Sequence, residues 1–112
     1  MPLFFKSELN MYKKNTDNFL NKILTLDLDN LSLTKLLGLK IEYLYLISVY
    51  SQLDFSIMIN TNIAYFNSII NGTKSITIKK LEQICFSLKI EPKELLDFSI
   101  LYEIKSQKKF IY

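Results

Sequence analysis

Asn71-Gly72 stands inside "FNSIINGTKSITI", residues 66–78, and no other pair in the chain restricts the fold as strongly. Two geometries compete for it. Asn-Gly flanked by alternating apolar residues is the strongest short-range signal for a β-hairpin, because both residues tolerate the positive φ of a type I′ turn. Gly is also the usual residue just past a helix C-terminus. The neighbours decide between them. "SQLDFSIMI" begins with Ser51, a good N-cap, and sets Phe55, Met58 and Ile59 at the i, i+3, i+4 spacing of one helix face. "NTN" at 60–62 breaks the pattern. Asn62 then offers a second cap, with Phe66 and Ile69 on one side of the segment it opens and Ile63 a turn earlier. Beyond Gly72, Thr77 is a third cap ahead of the stripe Leu81, Ile84, Cys85 and Leu88, and Pro92 falls in the first turn of a further helix, where its missing N–H costs nothing. A hairpin would pair "TKSITI" with "YFNSII" and leave the helices on either side without a consistent partner. A helix end at Gly72 instead yields four short helices, joined by about three to six residues each, with stripes for a common core. The spacing predicts the helix end.

Upstream the signals are less uniform. "YKKNTDNFLNKILT", residues 12–25, places Phe19, Ile23 and Leu20 at helical spacing after Asp17 and predicts a helix. Residues 26–40 mix turn-forming Asp and Asn with Leu and predict no single structure. "IEYLYLISVY", residues 41–50, is apolar nearly all round, which suits a fully buried helix or a buried strand. "SLTKLLGLKIEYLYLI", residues 32–47, reads either as helix, Gly38 turn, helix, a second copy of the pattern that follows, or as the approach to a buried first helix of the later domain. The second reading is favoured, because the later domain otherwise lacks that helix.

Composition removes several function classes. The 112 residues allow one domain with a modest core and an appendage. No run of about 18 uncharged apolar residues exists, so no membrane span is expected. "MPLFFKSEL" is too short and too soon charged for a secretory signal, and a cytoplasmic chain is expected; the Asn71-Gly72-Thr73 sequon then carries no glycan. His is absent and Cys85 is the one cysteine, which removes disulfides, thiol-imidazole catalysis and His-based metal sites. Cys85 on the apolar stripe reads as a small buried hydrophobe. No cofactor, no metal and no enzymatic activity are expected. The net charge is +3 and every basic residue is Lys. Lysine neutralises phosphates as a point charge but lacks the fork that reads guanine.

From Tyr50 to Phe98 the chain resembles the helix-turn-helix domain of the phage repressor and Cro-like (Xre-like) family of transcription regulators. The resemblance rests on Ser51-Gln52, Ser56, the Asn60-Thr61 turn, Phe66 and Ile69, Asn71-Gly72, and "LEQICFSLKIEPKELL". Within the family, "AYFNSIINGTKSITIKKLEQI" is most similar to the small controller proteins of restriction-modification systems. Residues 1–40 have no counterpart in it. The resemblance implies an all-α fold: a compact, lambda-repressor-like helix-turn-helix domain of about five short helices over 39–98. An N-terminal, partly helical extension over 1–38 precedes it and a tail over 99–112 follows. "DFSILYEIKSQKKFIY", residues 97–112, is more apolar than a solvated tail and is expected to extend a helix or add a strand at a subunit contact.

Double-stranded DNA is the partner that the resemblance implies, bound by a homodimer with the helix over 62–70 in the major groove. The candidate DNA-binding residues are Gln52, Asn62, Ile63, Ala64, Tyr65, Asn67, Ser68, Lys74 and Lys79, with Lys80 beside them. Asn and Gln can pair with adenine edges and Ile63 and Ala64 can pack on thymine methyls, so an A·T-rich operator is expected. Each residue also has a plainer role open to it: Gln52 and Asn62 as helix caps, Tyr65 as a surface aromatic or subunit contact, the lysines as solvated charge. Ser68 and Ile70 replace residues that are Arg, Gln or Glu in many relatives, and Ile63 and Ala64 open the recognition helix with apolar groups. A second class therefore stays open, a protein-interaction module with an antagonist or antitoxin-like partner.

Overall fold

The computed structural model describes Lys14 and residues 16–111, the last four of these by backbone alone. Helices make up its regular structure, and no β-strand occurs among the described residues. In chain order they are α1 (Thr16–Thr25), a short 3₁₀ turn (Leu28–Asn30), α2 (Leu33–Leu46), α3 (Gln52–Met58), α4 (Ile63–Ile70), α5 (Ile78–Leu88), α6 (Pro92–Leu95) and α7 (Ser99–Ile111). The helix expected over 12–25 is α1; of its first residues, 12, 13 and 15 lie outside the described ones, as does Tyr112.

Local chemistry sets the boundaries. Each of four helices opens on a side-chain oxygen that accepts from the N–H three residues on: Ser32 from Lys35, Ser51 from Asp54, Asn62 from Tyr65 and Thr77 from Lys80. Such a cap satisfies one of the orphan donors of the first turn. Gly72 sits at φ +70° and closes α4, with its N–H on the carbonyl of Ile69 and that of Thr73 on the carbonyl of Ser68. The Asn71-Gly72 pair is thus a helix end and no hairpin. Asn60 ends α3 in the same left-handed region, at φ 61°, which Asn tolerates better than most residues.

The segment whose pattern was ambiguous organises the molecule. α2 is apolar nearly all round because it is buried on two sides. Leu37, Ile41 and Leu44 enter a core shared with Phe55, Ile59, Phe66, Ile69, Ile84, Leu88 and Leu95 from α3 to α6. Leu39 and Leu46 enter a second core with Phe19, Ile23, Leu28 and Leu101 from α1, the 3₁₀ turn and α7. Tyr45 stacks edge-on against both Phe55 and Phe66, 5.6 and 5.5 Å between centroids. α2 runs unbroken through residue 38, so the division expected there falls inside a helix. Gly38 makes no turn; it lets α2 approach the end of α4, where a Cβ would stand 2.3 Å from the Ile69 carbonyl oxygen.

The first part of the tail packs on its own chain. α7 packs on α1, and Leu101 is fully buried in the second core. Phe98, Ile100 and Ile104 pack on the same core, while Tyr102 stays exposed and donates to Asp29 Oδ1 at 3.1 Å; the side chains of 108–112, part of the segment expected at a subunit contact, lie outside the described residues.

Lysines tie the elements around the second core to α2 and to one another. Lys22 pairs with Glu42 at 2.5 Å, and burial pushes the Glu42 carboxyl above its usual range while the Lys22 ammonium pulls it down. Lys40 donates to the Asp97 carbonyl at 2.7 Å, and Lys105 donates to that of Leu26. Lys14 donates to the carbonyls of Tyr45, in the last turn of α2, and of Ser48, just past it, both at 2.7 Å, and burial lowers its pKa to about 8. These four lysines are engaged within the chain, and the surface charge available for a partner is smaller than the composition suggests.

Candidate nucleic-acid interface

α3 and α4 form a helix, tight turn, helix unit whose inner faces are fixed by Phe55, Ile59, Phe66 and Ile69, each at most 1% exposed. Four residues, 59–62, join the two helices. The turn is held by the Thr61 N–H and hydroxyl on the Ser56 carbonyl, both at 2.8 Å, and by the Lys80 ammonium on the Asn60 carbonyl at 2.8 Å. Ser56 is fully buried, as a small residue must be where the chain folds back this closely.

Anchoring the apolar stripes inward turns the polar residues outward. Gln52, the first helical residue of α3, donates from Nε2 to Asn67 Oδ1 on α4 at 2.6 Å. It is no cap, since Ser51 fills that role. Its Oε1 and second N–H are the complement of adenine N6 and N7. Asn62 does cap α4, with Oδ1 on the Tyr65 N–H at 2.8 Å, so the half of its amide that would accept from adenine N6 is already engaged. Ile63 and Ala64 lie exposed in the first turn of α4, Ile63 at 39%. Ser68 donates to the Ala64 carbonyl at 3.0 Å, and its hydroxyl retains only acceptor capacity.

Tyr65 is half buried, its ring packed on the first core. The Lys74 ammonium lies 5.2 Å from the ring centroid and that of Lys80 5.6 Å. Lys79 is exposed on α5, in a hollow it shares with Asn60, Glu82 and Phe86. Lys80, expected like Lys74 and Lys79 either to touch phosphates or to stand solvated, donates to the Asn60 carbonyl.

The structure thus brings Gln52 and Asn67 into direct contact and draws Tyr65, Lys74 and Lys80 together; Asn62 serves the backbone, and Lys79 stands at the rim. Lys35, missed in the sequence, is a further cation beside the end of α4. The stem of Lys35 would meet a Cβ on Gly72 at 2.7 Å. No sequence signal could have found it, because it reaches Gly72 through the packing of α2 on α4. Among the described residues no group of three metal-ligating side chains converges, and no helix is long and apolar enough to cross a membrane.

Comparison with protein-family models, with curated proteins and with solved structures gives no match to this chain.

Proposed function

We propose that this chain is a cytoplasmic, sequence-specific DNA-binding transcription regulator of the phage repressor and Cro-like (Xre-like) class, a repressor or autoregulator without catalytic activity. The observation that carries this reading is the Gln52–Asn67 hydrogen bond, 2.6 Å. It ties the N-terminus of α3 to the outer face of α4 and holds two amides where a base edge would meet them, next to the exposed apolar pair Ile63 and Ala64. Laid in a major groove, α4 would offer hydrogen bonds suited to adenine and apolar contact suited to the thymine methyl. Lys35, Lys74 and Lys79 surround this helix and would set its register on phosphates. The absence of arginine agrees with an A·T-rich operator. Binding as a homodimer would match half-sites about one DNA turn apart. A mobility-shift assay against DNA upstream of the chain's own coding sequence tests the reading; a retarded band that a scrambled duplex does not compete away is the expected result.

One observation favours a second reading. Leu53 and Ile57 on α3 and Phe86 on α5 are 52%, 61% and 86% exposed, more apolar surface than this part of a DNA reader requires. They suit a module that binds an antagonist or antitoxin-like protein, and the absence of a shift on every duplex in the same assay would favour it.

A further inference from the structure

We infer that Tyr65 acts on DNA through two lysines, its ring being the platform that gathers the Lys74 and Lys80 ammonium groups into one phosphate-docking point. This rests on the DNA-binding reading and adds to it a positioning role that neither lysine shows by itself.

The three residues come from separate parts of the chain: Tyr65 from α4, Lys74 from the loop after it, Lys80 from the first turn of α5. Both ammonium groups lie close enough to the ring centroid, 5.2 and 5.6 Å, for the negative face of an aromatic system to attract a cation, which extends to about 6 Å. Since both are near one centroid, they stand at most about 11 Å apart, close enough to act on the same short stretch of backbone. Two like charges at this spacing repel, and a long lysine side chain left to itself explores many rotamers. The ring opposes both tendencies.

Further contacts fix the platform. Tyr65 is half buried against the first core, so the ring has a set orientation. The Tyr65 N–H is the donor of the Asn62 cap, at the start of the helix that carries the candidate base readers. Lys80 is held a second time, through the Asn60 carbonyl at 2.8 Å. The arrangement thus couples α4 to the loop and to α5, and a phosphate placed on the two cations would fix the height of α4 in a groove. Tyr65 itself needs no contact with a base.

The test uses the full chain and one upstream duplex. Wild type, Tyr65→Leu and Tyr65→Phe are titrated across a salt series, and the Hε resonances of Lys74 and Lys80 are recorded on the free proteins. Leu keeps the apolar packing and removes the ring; Phe keeps the ring. Expected are upfield-shifted Hε resonances for both lysines in wild type, lost in Tyr65→Leu and restored in Tyr65→Phe. The slope of log affinity against log salt should become shallower by about one unit in Tyr65→Leu, and return in Tyr65→Phe. A Tyr65→Leu slope equal to that of wild type, or Hε resonances at ordinary positions in wild type, overturns the inference while leaving DNA binding intact. If wild type binds no duplex, the proposed function falls, and the phosphate role of the pair falls with it even where shifted resonances show the lysines held on the ring.

Discussion

The Ile69 carbonyl oxygen of α4 stands 2.3 Å from where a Cβ on Gly38 of α2 would be, so the two helices meet backbone to backbone. This contact sets the depth at which α4 rests on the molecule. In an open helix Gly→Ala stabilises by about 1 kcal/mol, from helix propensity alone. Here Gly38→Ala should reverse that sign and cost about 1–3 kcal/mol net, the usual penalty of overpacking, because a backbone carbonyl cannot rotate away as a side chain would. Thermal or urea unfolding of the two proteins checks it, and a stabilised variant would place α2 and α4 further apart.

The Gln52–Asn67 bond should appear as non-additivity. Gln52→Ala and Asn67→Ala are each expected to cost about 1–3 kcal/mol on the preferred duplex and little on random DNA, with the salt slope nearly unchanged. The double variant should lose clearly less than the two single losses combined, since each truncation already breaks the shared bond. Full additivity in a binding cycle would mean that the two amides act apart.

Leu101→Ala should cost about 2–5 kcal/mol, as deleting a fully buried leucine generally does. The loss should be the same at low and at high protein concentration, because Leu101 packs on Phe19 and Ile23 of its own chain. Denaturant melts at two protein concentrations check this, and a penalty confined to the higher concentration would return the tail to a subunit contact.

Alkaline pH should relieve the cost of the buried Lys14. Burial holds the Lys14 pKa at about 8, below its ordinary value of 10.5. Between these two values the unfolded chain binds more protons than the folded one, so unfolding takes up a proton and stability rises with pH. Lys40 is displaced in the same direction by burial and adds to the trend. Burial raises the Cys85 thiol and the Tyr43 and Tyr45 hydroxyls, which works the other way in the upper part of the range, so the Lys14 share is read as a difference: the melting temperature of wild type should gain on that of Lys14→Met from about pH 8 towards pH 10. A difference that stays constant over that range would contradict the placement of Lys14.

Much of the helical frame was legible because its signals are local. Ser51, Asn62 and Thr77 cap the helices their residue types announce, and Gly72 at φ +70° ends α4 as its position beside Asn71 suggests. The stripe Ile84, Cys85 and Leu88 is buried, and Leu81 packs on the same core. α2 was ambiguous for a physical reason: a helix covered on two sides loses the polar face that gives an amphipathic helix its period. Gly38 left a turn open as the less favoured reading because close helix packing and a left-handed turn both demand the missing Cβ. Within the site, the cap at Asn62 could be named in advance, but the contact of Gln52 with Asn67 and the gathering of Lys74 and Lys80 on Tyr65 join residues on different helices and loops. Periodicity along one helix carries no trace of such pairs.

The central claim, that α4 reads base sequence while the surrounding lysines hold phosphates, is tested most directly by a salt titration of wild-type protein on the upstream duplex and on a scrambled duplex of equal length. The account predicts tighter binding to the upstream duplex at every salt concentration. It also predicts that log affinity falls linearly with log salt on both duplexes, with a slope of about −0.9 for each phosphate neutralised. Equal affinity for the two duplexes, or no binding to either at about 50 mM salt, where phosphate contacts are strong, would contradict it.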